Sequence, residues 1–241
     1  SENKFGVRID EAHDWFAQSA RLTHVRLDGL HVHIGSQMLT LDPIREALQR
    51  VAAFWRELVA AGLTINSIDV GGGLGVRYRA GHDQPIDVQA YANVIRETLA
   101  GFSGRILLEP GRWLVAEAGV LLTRVIRVKQ GRQRRFLVLD AAMTDLVRPS
   151  LYDAWHEIVP VAHKERTRQI YDVVGPVCET GDTFARDREL PRCEAGDLVI
   201  IKATGAYGAS MASNFNSRPL IAEVLLDRGR YAGGRLRQTF D

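Results

Sequence analysis

The sequence predicts an α/β domain over residues 1–118 followed by a mostly antiparallel all-β domain over residues 119–241. Three observations carry that prediction. Helical periodicities alternate with short apolar runs through the first half, in the order αβαβαβ. After about residue 118 the helical pattern gives way to apolar runs of strand length, separated by turn residues. Three loops rich in glycine and polar groups each follow a strand-like run and precede a helix, the position of the active-site rim in a β/α barrel.

Taken in order, a short helix starts near Asp10, and LDGLHVHI is the first strand-like run. Asp42 and Pro43 form an N-cap and first-turn pair, after which Ile44, Leu48, Val51, Trp55 and Leu58 recur at helical spacing until Gly62 offers a stop. INSIDV is the second strand. A further amphipathic helix runs from about Asp87 with Val88, Tyr91, Ile95 and Leu99 on one face and Gly101 at its end, and RILLEP is the third strand. In the second half VLLTRVIRV, RRFLVLD, RQIYDVV, DLVIIKA and PLIAEVLL read as strands, with a short helix near Tyr152. Arg132, Arg134 and Arg135 mark an exposed hairpin turn. There is no internal repeat and no low-complexity linker.

The bulk composition is that of a globular chain, with 46% hydrophobic and 25% charged residues over 241 positions. A net charge of +2 and the absence of a basic face argue against nucleic acid as a partner. No apolar run approaches the roughly 18 residues of a membrane span, and SENKFGVRIDEAHDW has no secretory apolar region, so a cytoplasmic protein is expected. Two cysteines, Cys178 and Cys193, build neither a disulfide framework nor a zinc site at this spacing. Cys193, in PRCEAGD, reads as incidental.

The three rim loops are His33-Ile-Gly-Ser36, Gly71-Gly-Gly-Leu-Gly75 and Glu109-Pro-Gly-Arg112. The glycine run reads as a phosphate cradle, because backbone N–H groups without side chains can approach an anion. A dinucleotide fingerprint would need glycine where Val76 or Tyr78 stands, and a Walker loop would need a Gly-Lys-Ser/Thr ending. His31 and His33 alternate along a strand and could form a metal pair, but no third ligand lies nearby in sequence, so no metal is expected. A ring packed on a flat cofactor suits His33. Glu109 reads either as a salt-bridge residue or as a carboxylate facing a pyridine nitrogen.

In the β-rich half three clusters are more specific than turns: Arg148-Pro-Ser-Leu-Tyr152, Gly175-Pro-Val-Cys-Glu-Thr-Gly-Asp182, and Gly205-Ala-Tyr-Gly-Ala-Ser210 leading to Asn216-Ser-Arg-Pro219. Cys178 alone would read as a small buried hydrophobe; the glycines and Glu179 around it point to an exposed, reactive setting.

The succession HVHIGSQ, GGGLGVRY, EPGRWLVAEAG, RPSLY, GPVCETGD and GAYGASMASNFNSRP closely resembles the diaminopimelate decarboxylase family, pyridoxal-phosphate-dependent enzymes of alanine-racemase-like fold. The resemblance covers nearly the whole chain. It implies the C-terminal half of a (β/α)8 TIM-like barrel followed by the β-domain. It also implies decarboxylation of meso-2,6-diaminopimelate to L-lysine and carbon dioxide, the last step of lysine biosynthesis. Residue by residue, it implies that His33 stacks on the pyridoxal ring, and that Ser36, Gly72, Gly73 and the Pro110-Gly111-Arg112 backbone hold the phosphate. Glu109 would pair with the pyridinium nitrogen. Arg112, Arg148 and Tyr152 would bind the carboxylate retained in lysine, while Glu179 and Tyr207 would contact the substrate amine and the cofactor edge. Cys178 would return the proton after carbon dioxide leaves, contributed with Glu179 across a homodimer interface. The chemistry agrees: a substrate with two carboxylates needs an arginine clamp on the one that stays. Ornithine has no distal carboxylate, which makes Arg148 the discriminating residue against an ornithine or lysine decarboxylase.

The family places its cofactor lysine on an early barrel strand, in a context resembling Tyr-Ala-x-Lys-Ala-Asn. Lys4, Lys129, Lys164 and Lys202 have no such setting. The chain therefore reads as an excerpt of a longer enzyme, inactive by itself, with strand edges and apolar lining left open. The rival reading is a noncatalytic homologue that has lost the lysine.

Overall fold

The computed structural model describes residues 4–19, 21–162 and 166–240. The chain divides into two compact units, Ser1–Gly75 with Pro85–Gly111, and Val76–Gln84 with Arg112–Asp241.

The first unit contains α1 (Ile9–Ser19), β1 (Gly29–His31), α2 (Asp42–Ala60), β2 (Ser67–Gly72), α3 (Val88–Thr98) and β3 (Arg105–Glu109). The strands form a parallel sheet in the order β1-β2-β3. Parallel neighbours need a crossover, which α2 and α3 supply. The apolar stripe of α2 buries Ile44, Leu48, Ala52, Phe54 and Leu58, and α3 buries Tyr91, Val94 and Ile95. These side chains meet Ile68 and Val70 of β2 and Phe16 of α1 in one core. Residues as enclosed as Leu48, Leu58 and Ile68, each 1% exposed or less, contribute about 1.5–3 kcal/mol apiece. Asp87 caps α3, its carboxylate accepting from Ala90 N at 2.8 Å. Asp42 does not cap α2. The N-cap is Leu41, without a side-chain bond, and Asp42 lies in the first turn, where its charge favours the helix N-terminus. The run LDGLHVHI yields a strand only over Gly29–His31.

Both edges of this sheet are open among the described residues. Every residue of β3 is exposed, including Ile106, Leu107 and Leu108. Beside β1, a groove of about 810 Å³ is lined by Trp15, Phe16, Leu30, Val32, Val51 and Phe54.

The second unit contains α5 (Arg148–Tyr152) and the strands β4 (Leu121–Gln130), β5 (Arg135–Leu139), β6 (Ile158–Pro160), β7 (Arg168–Val174), β8 (Thr183–Pro191), β9 (Leu198–Ile201), β10 (Glu223–Asp227) and β11 (Arg230–Arg235). A further short helix, α4 (Gly111–Val115), begins at the last residue of the first unit. Six strands form one sheet in the order β6-β9-β4-β5-β7-β8, antiparallel except for β5 with β7. On β4, Leu121, Thr123 and Val125 point inward while Leu122 and Arg124 point out, the two-residue alternation of a half-buried strand. Leu121 and Val125 join Leu137, Leu139, Tyr171, Val173, Phe184, Val199 and Ile201 in the core. The arginine-rich turn closes on Gly131 N to Arg134 O, and Arg134 reaches buried Asp172 at 2.6 Å.

Three strands, β6, β8 and β11, lie outside the runs read from sequence. In PLIAEVLL only the second half is strand, paired antiparallel with β11. No helix among the described residues is long and apolar enough to cross a membrane.

Candidate active site

Because β1, β2 and β3 are parallel, the segments after them leave the sheet at one end. Gly72 pairs in register with Glu109, and His31 with Asp69. At Gly72 a Cβ would stand 2.0 Å from the Glu109 carbonyl oxygen, and at Gly73, where φ is +85°, it would stand 2.2 Å from Gly35 O. Both glycines are thus demanded by neighbouring backbone, whatever the loop binds. Gly111 differs: its φ is not positive and a Cβ there would meet open space.

The exposed side chains at this end include His31, His33, Ile34, Ser36 and Glu109, with Pro110 half-buried beside them. His33 Nδ1 accepts from Gly72 N at 3.4 Å, which holds the ring against the glycine loop. Glu109 Oε2 lies 3.1 Å from His31 Nε2. His31 does not pair with His33. Its ligand atom instead clusters with those of Asp69 and Glu109, all within 4.8 Å, bringing together residues 38 and 78 positions away that no local motif could supply.

In the second unit two of the sequence-derived residues, Arg112 and Arg148, meet at one that was not singled out, Tyr78. Its loop is shaped by Asp83, whose carboxylate accepts from Tyr78 N and Arg79 N at 3.0 and 2.7 Å. Arg112 donates to the Tyr78 hydroxyl at 2.6 Å, and its guanidinium lies 4.9 Å from the Tyr207 ring centre. Arg148, only 8% exposed, lies over the Tyr78 ring at 4.7 Å and contacts His156 at 2.8 Å. Burial pushes the Arg148 guanidinium below its usual value, and among the described residues no carboxylate pairs with it. Tyr152, on the same helix as Arg148, is exposed.

Tyr207 has a left-handed backbone, φ 61°, uncommon for a bulky side chain. Its loop is pinned by Gly205, where a Cβ would stand 1.9 Å from Val115 O. Arg218, in the NSRP segment, is a structural tie that donates to Asp140 O and Thr144 Oγ1.

Cys178 and Glu179 lie on the exposed loop between β7 and β8. Buried Asp182 shapes that loop by accepting from Val177 N and Met143 N, at 2.8 and 2.6 Å. Glu179 accepts from Gly181 N. Among the described residues, no hydrogen bond or ion pair joins Cys178 or Glu179 to Arg148, Tyr152 or Tyr207. Cys193 belongs to the core of the unit, and burial pushes its thiol up to about 11. Of the lysines, Lys202 pairs with Glu157 at 3.0 Å, Lys4 lies over Phe5, Lys129 is on β4, and Lys164 lies outside the described residues.

Residues 42–205 match the family described as "Pyridoxal-dependent decarboxylase, C-terminal sheet domain". A diaminopimelate decarboxylase of Zymomonas mobilis is 46% identical over 241 residues, covering 100% of this chain and 57% of the relative. The crystal structure of diaminopimelate decarboxylase from Helicobacter pylori complexed with L-lysine superposes with a TM-score of 0.93 at 43% identity, over 99% of this chain and 59% of that one. A lysine/ornithine decarboxylase from Vibrio vulnificus complexed with cadaverine gives 0.80 at 26% identity, over 90% and 58%. The chain thus spans a little over half the length of the relatives it matches.

Proposed function

The chain belongs to the pyridoxal-dependent decarboxylases, and from that membership we propose that the protein built on it converts meso-2,6-diaminopimelate to L-lysine and carbon dioxide. The observation that carries the substrate is Arg148. A guanidinium taken out of water costs several kcal/mol unless an anion compensates it. With Arg112 on the same tyrosine and no carboxylate of its own, Arg148 suits the distal carboxylate that lysine retains.

The donor set of the first unit fits pyridoxal phosphate. Ser36 and the backbone of Gly72, Gly73, Pro110 and Gly111 would hold the phosphate, continued by Arg112. The open space at Gly111, which packing does not explain, gives the glycine a reason. The His33 ring would lie against the pyridine ring, and the Glu109 carboxylate would keep the ring nitrogen protonated. When bound, the cofactor supplies the electron sink that decarboxylation needs. Tyr152, Glu179 and Tyr207 would orient the substrate. The exposed Cys178 thiol would return a proton to the carbon that lost carbon dioxide, and would reach it from the second subunit of a homodimer.

The parallel strands would be an arc of a β/α barrel, and the cofactor lysine would belong to an upstream part of the longer protein. A cytoplasmic setting suits two unpaired cysteines. Carbon dioxide release by the longer protein from diaminopimelate, ornithine and lysine tests the reading: release from diaminopimelate alone is expected, and none from it would refute the proposal.

A further inference from the structure

Arg148 is held by an unusual partner. His156 is 1% exposed, and its Nδ1 lies 2.9 Å from the carbonyl oxygen of Lys202. A carbonyl can only accept, so Nδ1 carries the proton. The lone pair on Nε2 then faces an Arg148 N–H at 2.8 Å, and arginine can only donate. The tautomer is therefore set from both sides. The Tyr78 ring meets the imidazole edge-on at 5.1 Å; burial foremost, and then the cationic charges of Arg148, Arg112 and Arg188 around it, keep it neutral.

We propose that His156 is a positioning residue for substrate recognition: its neutral imidazole, anchored on Lys202 O, fixes the Arg148 guanidinium over Tyr78 without neutralising it. A carboxylate in this place would also hold the arginine, but it would compete with the substrate for the charge. Imidazole supplies an acceptor and leaves the cation whole, so the remaining N–H groups serve the distal carboxylate. The inference rests on Arg148 being the clamp.

The test uses the full-length enzyme with its cofactor, reading kcat and KM for diaminopimelate and L-lysine affinity by calorimetry. His156→Phe keeps an aromatic ring but removes both hydrogen bonds. It is expected to raise KM and weaken lysine binding by about ten- to a hundredfold, with kcat changed by less than about threefold. His156→Gln, which can accept and donate at similar reach, is expected to restore most of the loss. Combined with Arg148→Met, His156→Phe should add little to the effect of Arg148→Met alone. Lysine binding unchanged by His156→Phe but lost in Arg148→Met would overturn the inference and leave the clamp standing. Full additivity would mark a merely structural role and overturn it as well. Unchanged binding in Arg148→Met would remove the clamp itself. If His156→Phe does not fold, His156→Asn, too short to span both partners, is read by the same criteria.

Discussion

Glycines in the rim loops look alike in sequence and differ in the structure. A Cβ at Gly72 collides with the Glu109 carbonyl, whereas one at Gly111 meets nothing. Gly72→Ala should therefore lower stability by about 1–3 kcal/mol in denaturant titrations. Gly111→Ala should leave stability unchanged and weaken pyridoxal phosphate binding, read by fluorescence. His156 adds a pH dependence. Burial pushes its imidazole from 6.5 down to about 4, so between these values the unfolded chain binds the proton and the folded one does not. Its contribution is complete above pH 6.5 and fades as the pH falls towards 4, by on the order of 3 kcal/mol. Buried Asp145 and Asp182, with carboxyls pushed up, work in the opposite sense on the acid side. Unfolding of wild type and His156→Gln across pH 7 to 4 isolates the histidine, and the variant should gain on wild type as the pH falls. His33, Glu109 and Arg148 could be named as candidates from sequence because each stands in a short, ordered motif. His156 could not, since its meaning depends on Lys202, 46 positions away.

Elements with a clear apolar period were legible: α2 and α3 appear where the stripes of Leu48 and Leu58, and of Tyr91 and Ile95, place them. Capping was only half legible. Asp87 and Asp42 both precede apolar stripes, but only Asp87 has the extended backbone that lets a side chain reach back to an N–H, with ψ 126°. Asp87→Ala is expected to cost about 1 kcal/mol in thermal unfolding, and Asp42→Ala clearly less. The strand β8 carries Arg186, Asp187, Arg188 and Glu189 in its middle and so has no apolar run of strand length to mark it. It forms because β7 offers a paired edge, with Asp187 in a left-handed kink whose N–H is taken by Asp172. Gly205→Ala, meeting Val115 O at 1.9 Å, should lower the melting temperature and loosen Tyr207, seen as weaker lysine binding.

At the scale of the whole chain, the first unit leaves β1 with a free edge beside an apolar groove and β3 exposed throughout. Such edges and patches recruit further chain. The 241 residues expressed alone should bind a hydrophobic dye and assemble with rising concentration in light scattering. A chain extended upstream to the length of its relatives should do neither; equal behaviour of the two would show that these surfaces need no cover. The residue order alone determined the α/β to β-rich succession, the family motifs and the loops that follow the strands, because periodicity and turn chemistry are local. Only the tertiary structure decided that Tyr78 gathers Arg112 and Arg148, that His31 joins Asp69 and Glu109, and that Cys193, in a polar stretch of sequence, is buried. Those facts depend on contacts between residues tens of positions apart, and on which backbone each glycine must let pass.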